Sequence, residues 1–258
     1  MKPSVILLSI LLLCTTAFGQ QPDSLAYKLD AYFTALTGLK NFNGNVLVAK
    51  DGRVLLDKTY TISGETDSLE VTRGSRFIIA SVSKVFVKFG ILKLAEQKKL
   101  RLSDKLSRFI PGFPGGDKIS IEQLMYHQSG LPRELTNAKG YDSLSLSRIV
   151  DLAKSERLQF EPGTQTLYSN IGYFLLHYII DQTSGSGYLA FIQREIFDKM
   201  GLKSTAEFNS GKPVPAFAYG FDNENGKVVP TSQKSINRFE TGNYLSTIGD
   251  LYRFSRQV

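Results

Sequence analysis

The chain of 258 residues holds one cysteine, and that residue, Cys14, lies in a stretch that reads as an export leader. Without Cys14 a mature chain has no thiol, which excludes disulfides, iron–sulfur clusters and a cysteine nucleophile. Histidine is almost as scarce, with two in the whole chain: His127 beside a Ser-Gly-Leu-Pro turn and His177 inside an apolar helical pattern. No carboxylate stands at ligand spacing from either, so both read as structural, and neither a metal nor a cofactor is expected. Basic residues exceed acidic ones, 31 to 24, for a net charge of +7, yet they are scattered. No arginine-rich run, zinc spacing or interleaving of aromatic and basic residues marks a nucleic-acid reader. Internal repeats and low-complexity tracts are also missing.

A membrane-spanning segment is not expected either. The apolar run from Val5 to Leu13 falls short of the ~20 residues a spanning helix needs. Preceded by Met1-Lys2 and followed by Ala17-Phe18-Gly19, it reads as a secretory signal peptide over residues 1–19. Lipid attachment at Cys14 is the alternative, and the bulky Leu13 directly before the cysteine argues against it. The expectation is an exported chain, periplasmic or secreted, with no stable membrane anchor after leader cleavage. Losing Lys2 with the leader leaves a charge of +6, which suits a place beside anionic envelope polymers.

What remains is an ordinary globular composition, 42% hydrophobic and 21% charged, long enough for one large domain or two small ones. Asp23 to Leu39 carries a helical apolar stripe. Gly44 to Leu56 reads as a hairpin turning at Asp51-Gly52. A polar stretch from Ser63 to Arg76 leads to a helix from Ser81 to about Lys98. Helical stripes then dominate as far as Lys203: Ser120 to Met125 or Tyr126, Leu144 to Leu158, Ile171 to Thr183 and Tyr188 to Met200. A strand pair around Asn225-Gly226 follows, and Tyr244 to Thr247 opens a last helix from about Ile248.

The chemistry concentrates at Phe77-Ile78-Ile79-Ala80-Ser81-Val82-Ser83-Lys84. Ser81 and Lys84 stand three apart, so on a helix they share a face and their side chains meet. Ser83 competes as nucleophile, but adjacent helical residues diverge, and its hydroxyl points away from the amine. The following segment, Val85 to Ala95, is apolar nearly all round and is expected to be buried. An amine in such a setting loses the hydration of its charged form, and the positive end of the helix dipole acts in the same sense. A lysine neutralised in this way accepts the proton of a serine and makes it a nucleophile. Lys88, in the same helix, reads as snorkelling to water.

Four segments in this order resemble the serine β-lactamase-like family, and within it class C β-lactamases, D-alanyl-D-alanine carboxypeptidases and related serine esterases. They are Phe77 to Lys84; Leu124-Met125-Tyr126-His127-Gln128-Ser129-Gly130-Leu131-Pro132; Pro162-Gly163-Thr164 with Tyr168-Ser169-Asn170-Ile171-Gly172-Tyr173; and Ser246-Thr247-Ile248-Gly249-Asp250-Leu251. The resemblance implies an α/β (α+β) fold of the β-lactamase/penicillin-binding-protein type over residues 20–258, an antiparallel sheet flanked by helices. Residues 20–80 and 214–258 would form the α/β part and 81–213 a helical subdomain. It implies acyl transfer with Ser81 as the acylated nucleophile, Lys84 as its proton partner, Tyr168 as a second acid/base and Asn170 orienting substrate or the lysine. Substrates would be β-lactams, D-Ala-D-Ala-type or other peptidoglycan-like peptides, or esters, and no cofactor is implied.

The family's third motif, Lys or His, a variable residue, then Gly, has no counterpart. Lys234-Ser235-Ile236 comes nearest, but lacks the glycine and stands too early. In the family that strand lines the site and supplies half of the oxyanion hole, and one such donor is worth ~10²–10³ in rate. The expectation is a truncated hydrolase without its C-terminal sheet strands. The rival is a non-catalytic penicillin-binding or sensor-like module, or an inactive fragment lacking that third motif.

Overall fold

The computed structural model describes residues 24–64, 69–136, 144–208, 213–231 and 244–258. The leader, part of the polar stretch before Arg76, and Lys234-Ser235-Ile236 lie outside them. Helix α1 spans Ser24–Gly38, then β1 (Gly44–Lys50) and β2 (Arg53–Tyr60) form an antiparallel hairpin. Its turn works because Asp51 and Gly52 both take positive φ, 50° and 78°, which matches the twist of the flanking strands. The same solution recurs at Asn225 and Gly226 (φ 53° and 86°), joining β5 (Phe221–Glu224) to β6 (Lys227–Pro230).

Between these hairpins lies the body of the molecule. Strand β3 (Phe77–Ile78) leads into a 3₁₀ turn over Ala80–Ser83 and then α2 (Lys84–Glu96). Helices α3 (Ile121–Met125), α4 (Leu146–Ala153), α5 (Asn170–Ser184) and α6 (Tyr188–Ile192) follow, then β4 (Ala206–Glu207), β7 (Tyr244–Ser246) after the second hairpin, and α7 (Ile248–Ser255). Several starts are written as side-chain caps. The hydroxyls of Ser120, Ser145, Ser169 and Thr247 each accept from the main-chain N–H three residues further on, satisfying donors the helix itself leaves open. At α3 the Gln123 side chain returns the favour to the Ser120 N–H, completing a capping box.

Three short strands far apart in the chain meet in a small antiparallel sheet, while each of the two hairpins forms a two-stranded sheet of its own. β7 lies between β3 and β4, with Phe77 opposite Ser246 and Leu245 opposite both Ile78 and Ala206. β4 thus joins the sheet from inside the stretch expected to be helical. A buried polar knot secures this junction. The Asp250 carboxylate accepts from Ser204 N–H and Thr205 Oγ1, and Thr205 Oγ1 also bonds Ser246 Oγ at 2.8 Å.

The core sits among α2, α5 and α6, sealed by α3 and α4. Gly90 is where α2 presses closest: a Cβ there would fall 2.6 Å from Ile192 Cδ1 and 3.0 Å from Ile180 Cδ1. Edge-on contacts of Phe86 with Phe197, Tyr244 and Phe254 couple α2 to the sheet and to α7. The expectation that α2 is buried all round needs correction. Val85 (37% exposed) and Leu92 (42%) stand seven apart on an outward face. Lys88 lays its ammonium 4.7 Å from the ring centre of Tyr126.

Two helices are shorter than their sequence patterns. The one expected to reach Leu158 stops at Ala153, because tertiary bonds capture the next residues: Glu156 accepts from Thr136 N–H, and Gln159 N–H donates to Gly130 C=O. The one expected over Tyr188 to Met200 widens into a π turn over Gln193–Asp198.

Candidate active site

The site starts at a backbone irregularity. Ala80 takes φ 44°, a left-handed conformation that costs a non-glycine residue of order 1 kcal/mol and is tolerated where the surroundings over-determine it. On one side Ile79 N–H is tied to Tyr244 C=O at 3.0 Å. On the other the chain winds into the 3₁₀ turn, where residues three apart eclipse. That winding sets Ser81 below Lys84, whose Nζ donates to Ser81 Oγ at 3.1 Å. Ser81 is exposed while Lys84 is only 5% exposed. Ser83 is turned inward, its Oγ buried without a hydrogen-bond partner.

Tyr168 comes from the opposite wall, its Oη donating to Ser81 Oγ at 2.8 Å. The Lys84 Nζ lies 5.0 Å from the Tyr168 ring centre and 5.4 Å from that of Tyr173. Tyr173 donates its hydroxyl to Met125 C=O, and burial pushes its phenol well above the usual range, so it stays a donor. Ser81, Lys84 and Tyr168 therefore converge on one oxygen.

What aims Tyr168 is a seam of main-chain bonds. The segment from His127 to Glu134 acts as a rail, and residues 159–170 are fastened along it. Gln159 N–H donates to Gly130 C=O, Gly163 N–H to Gln128 C=O, Leu167 N–H to His127 C=O and Asn170 N–H to Arg133 C=O. Ser169 Oγ adds a bond to Pro132 C=O at 2.7 Å while it caps α5. Gly130 permits the close approach: at φ 80° a Cβ would lie 2.3 Å from Phe160 O.

Asn170 stands at the first position of α5, directly after the capping residue Ser169. Its amide donates to the Glu134 carboxylate, and the Arg133 guanidinium lies 5.2 Å from the Tyr168 ring centre. Neither Arg133 nor Glu134 stood out in the sequence. The only signal was their place directly after Pro132. His127 is stacked on Tyr168, ring centres 4.5 Å apart. Burial, followed by the nearby charges of Lys88 and Lys84, lowers its pKa to about 4. His177 is far more enclosed, stacked on Tyr188, and burial holds it neutral down to about 3. Among the described residues no three of His, Cys, Asp and Glu converge as a metal-ligand group, and no helix is long and apolar enough to cross a membrane.

The family model for Beta-lactamase matches residues 29–258, nearly all of the described chain. The chain belongs to the beta-lactamase family. Among curated relatives, Penicillin-binding protein 4* of Bacillus subtilis (strain 168) is 35% identical over 202 residues, 75% of this chain and 45% of that protein. The chain thus spans about half the length of this relative. FmtA from Staphylococcus aureus has the same fold at TM-score 0.74 and 22% identity, over 91% of this chain and 64% of that one. A class C beta lactamase superposes at TM-score 0.73 and 22% identity, over 92% of this chain and 66% of that one. The α/β architecture of helices and antiparallel sheets is that of this family.

Proposed function

We propose that this protein is an exported serine hydrolase that works through an acyl-enzyme at Ser81. The observation that carries the reading is the convergence of Lys84 Nζ and Tyr168 Oη on Ser81 Oγ, at 3.1 and 2.8 Å. A serine hydroxyl is a weak nucleophile unless a neighbouring base takes its proton. Two neighbours here are within proton-transfer distance, one on its own turn and one across the cleft. In the proposed sequence Lys84 takes the Ser81 proton as Oγ bonds to the acyl carbon. Tyr168 gives its proton to the departing amine or alcohol as the acyl–leaving-group bond breaks and recovers one from Lys84. Water then attacks the ester, its proton passing to Lys84 while Tyr168 returns one to Ser81 Oγ as the carboxylic acid leaves. Lys84 then reprotonates Tyr168.

Asn170, bonded to Glu134, and Arg133, over the Tyr168 ring, flank the tyrosine and would meet the acyl part of the substrate. β-Lactams, D-Ala-D-Ala-type peptides and esters are the substrate classes to try, with peptidoglycan-like material favoured by the leader-like start and by the likeness to a penicillin-binding protein. The periplasm or the medium is the proposed location.

The test is labelling of the protein, made from its native reading frame, with a fluorescent penicillin and an alkyl phosphonate. One adduct mapping to Ser81, abolished in Ser81→Ala, together with turnover of a β-lactam or ester, is the expected result. A stable adduct without turnover would shift the assignment to a penicillin-binding sensor. Absence of any adduct would sink the reading.

A further inference from the structure

We infer that His127 is a positioning residue that aims Tyr168 at Ser81, an assignment that rests on the proposed role of Ser81 as nucleophile. One residue grips three consecutive ones. The His127 carbonyl accepts from Leu167 N–H at 2.9 Å, its ring lies on the Tyr168 ring at 4.5 Å and 28°, and its Nδ1 accepts from Ser169 N–H at 3.1 Å. Main chain, ring face and ring nitrogen thus bracket the tyrosine from its predecessor to its successor.

The grip needs an unusual backbone. His127 sits at φ 59°, a left-handed conformation in which His and Asn are over-represented among non-glycine residues. It also needs one tautomer. A nitrogen that accepts from an N–H carries no proton, so the ring hydrogen is on Nε2 and the imidazole is neutral. An imidazolium would set two donors against each other at Ser169. The groups around the ring favour the neutral form: Lys84 and Lys88 oppose a further positive charge, Arg133 stands over the same tyrosine, and Tyr168 and Tyr173 cover the ring with aromatic surface. Ser169 is buried, so its N–H has no water to fall back on if Nδ1 is taken away.

A histidine that only filled space would affect stability alone. A histidine that aims Tyr168 affects the rate at which Ser81 is acylated, because a reacting group displaced by about 1 Å costs up to ~10² in rate. The experiment measures the saturating acylation rate constant and the half-saturating probe concentration separately, with fluorescent penicillin or phosphonate, alongside thermal stability. His127→Phe keeps a ring and removes the acceptor; His127→Asn keeps an acceptor and the left-handed backbone and removes the ring.

In His127→Phe the rate constant is expected to fall about 10- to 10²-fold at unchanged half-saturation. His127→Asn is expected to recover part of that loss. Wild-type rates in His127→Phe would overturn the role, as would wild-type rates in His127→Asn if the phenylalanine variant does not fold. An unlabelled wild type overturns the Ser81 reading and this role with it. A labelled wild type matched by its variants overturns the histidine role alone.

Discussion

The flank built from α1, β1 and β2 and the helical body are held together by different forces. Between Leu25 and Tyr60 only Gly44 and Tyr60 are buried, whereas α5 alone buries nine residues, the run Ile171 to Leu176 with Ile179, Ile180 and Ser184. The flank relies on polar bonds and a few rings. Asp30 accepts from Lys58 and from Tyr60 Oη, Arg73 pairs with Asp57, and Phe33 touches Phe42 and Tyr60. Exposed ion pairs of this kind contribute little, because water and salt screen them. Close-packed side chains, by contrast, resist displacement in every direction. Ser81 and Lys84 are mounted at the start of a helix of the close-packed part, and Tyr168 on a segment tied to that part by main-chain bonds.

The largest effect expected from disturbing that contrast is at Gly130. Gly130→Ala forces a Cβ to within 2.3 Å of Phe160 O at φ 80°, combining left-handed strain with overpacking for a loss of about 2–5 kcal/mol. Urea denaturation reads the loss, and Ser81 labelling is expected to fall with it, since the rail that carries Tyr168 is displaced.

Next comes acid, acting through the two histidines of the body. Both have pKa values lowered by burial first and by lysine charges second, His127 to about 4 and His177 to about 3. The unfolded chain takes up these protons near ~6.5, and the folded one refuses them. Stability is therefore full above ~6.5 and falls as the pH drops towards 4 and then 3, with a slope of at most about 1.4 kcal/mol per pH unit for each histidine. Chemical denaturation from pH 7 to 4 measures it. His177→Phe, which removes a buried Nε2 without a partner, is expected to flatten the slope.

The smallest effect is a paired comparison. Ile179→Val removes one methylene from a fully buried site and is expected to cost about 0.5–1.5 kcal/mol. Val54→Ala removes two methyls from a strand position 41% exposed and is expected to cost less than about 0.5 kcal/mol. Equal costs would erase the distinction between flank and body.

Much of this arrangement could be read from residue types. Asp51-Gly52 and Asn225-Gly226 declare their turns because both positions need positive φ. The meeting of Ser81 with Lys84 follows from spacing alone, although the winding that achieves it is 3₁₀ rather than α. Tyr168 is marked only by the family resemblance, since nothing in its immediate neighbours says which way it faces. The rail was not legible, because main-chain bonds such as Gln159 N–H to Gly130 C=O leave no trace in side-chain identity. β4, two residues long, carries too little pattern to be seen. The helix that stops at Ala153 looks longer on paper because the bonds that end it come from Thr136 and Gly130, distant in the chain.

The tight turn at Ser81 has a mechanical consequence. Three residues advance a full circle in 3₁₀ winding but only about 300° in an α-helix, so relaxation to the ordinary coil would swing hydroxyl and amine out of register by roughly 60°. Residues three apart still share a face in an α-helix, so the tighter winding shortens the path from amine to hydroxyl rather than creating it. The bond from Val82 N–H to Ile79 C=O at 3.0 Å closes this short coil, so a change that loosens it would lengthen the reach from Lys84 to Ser81 while leaving every atom of the pair in place.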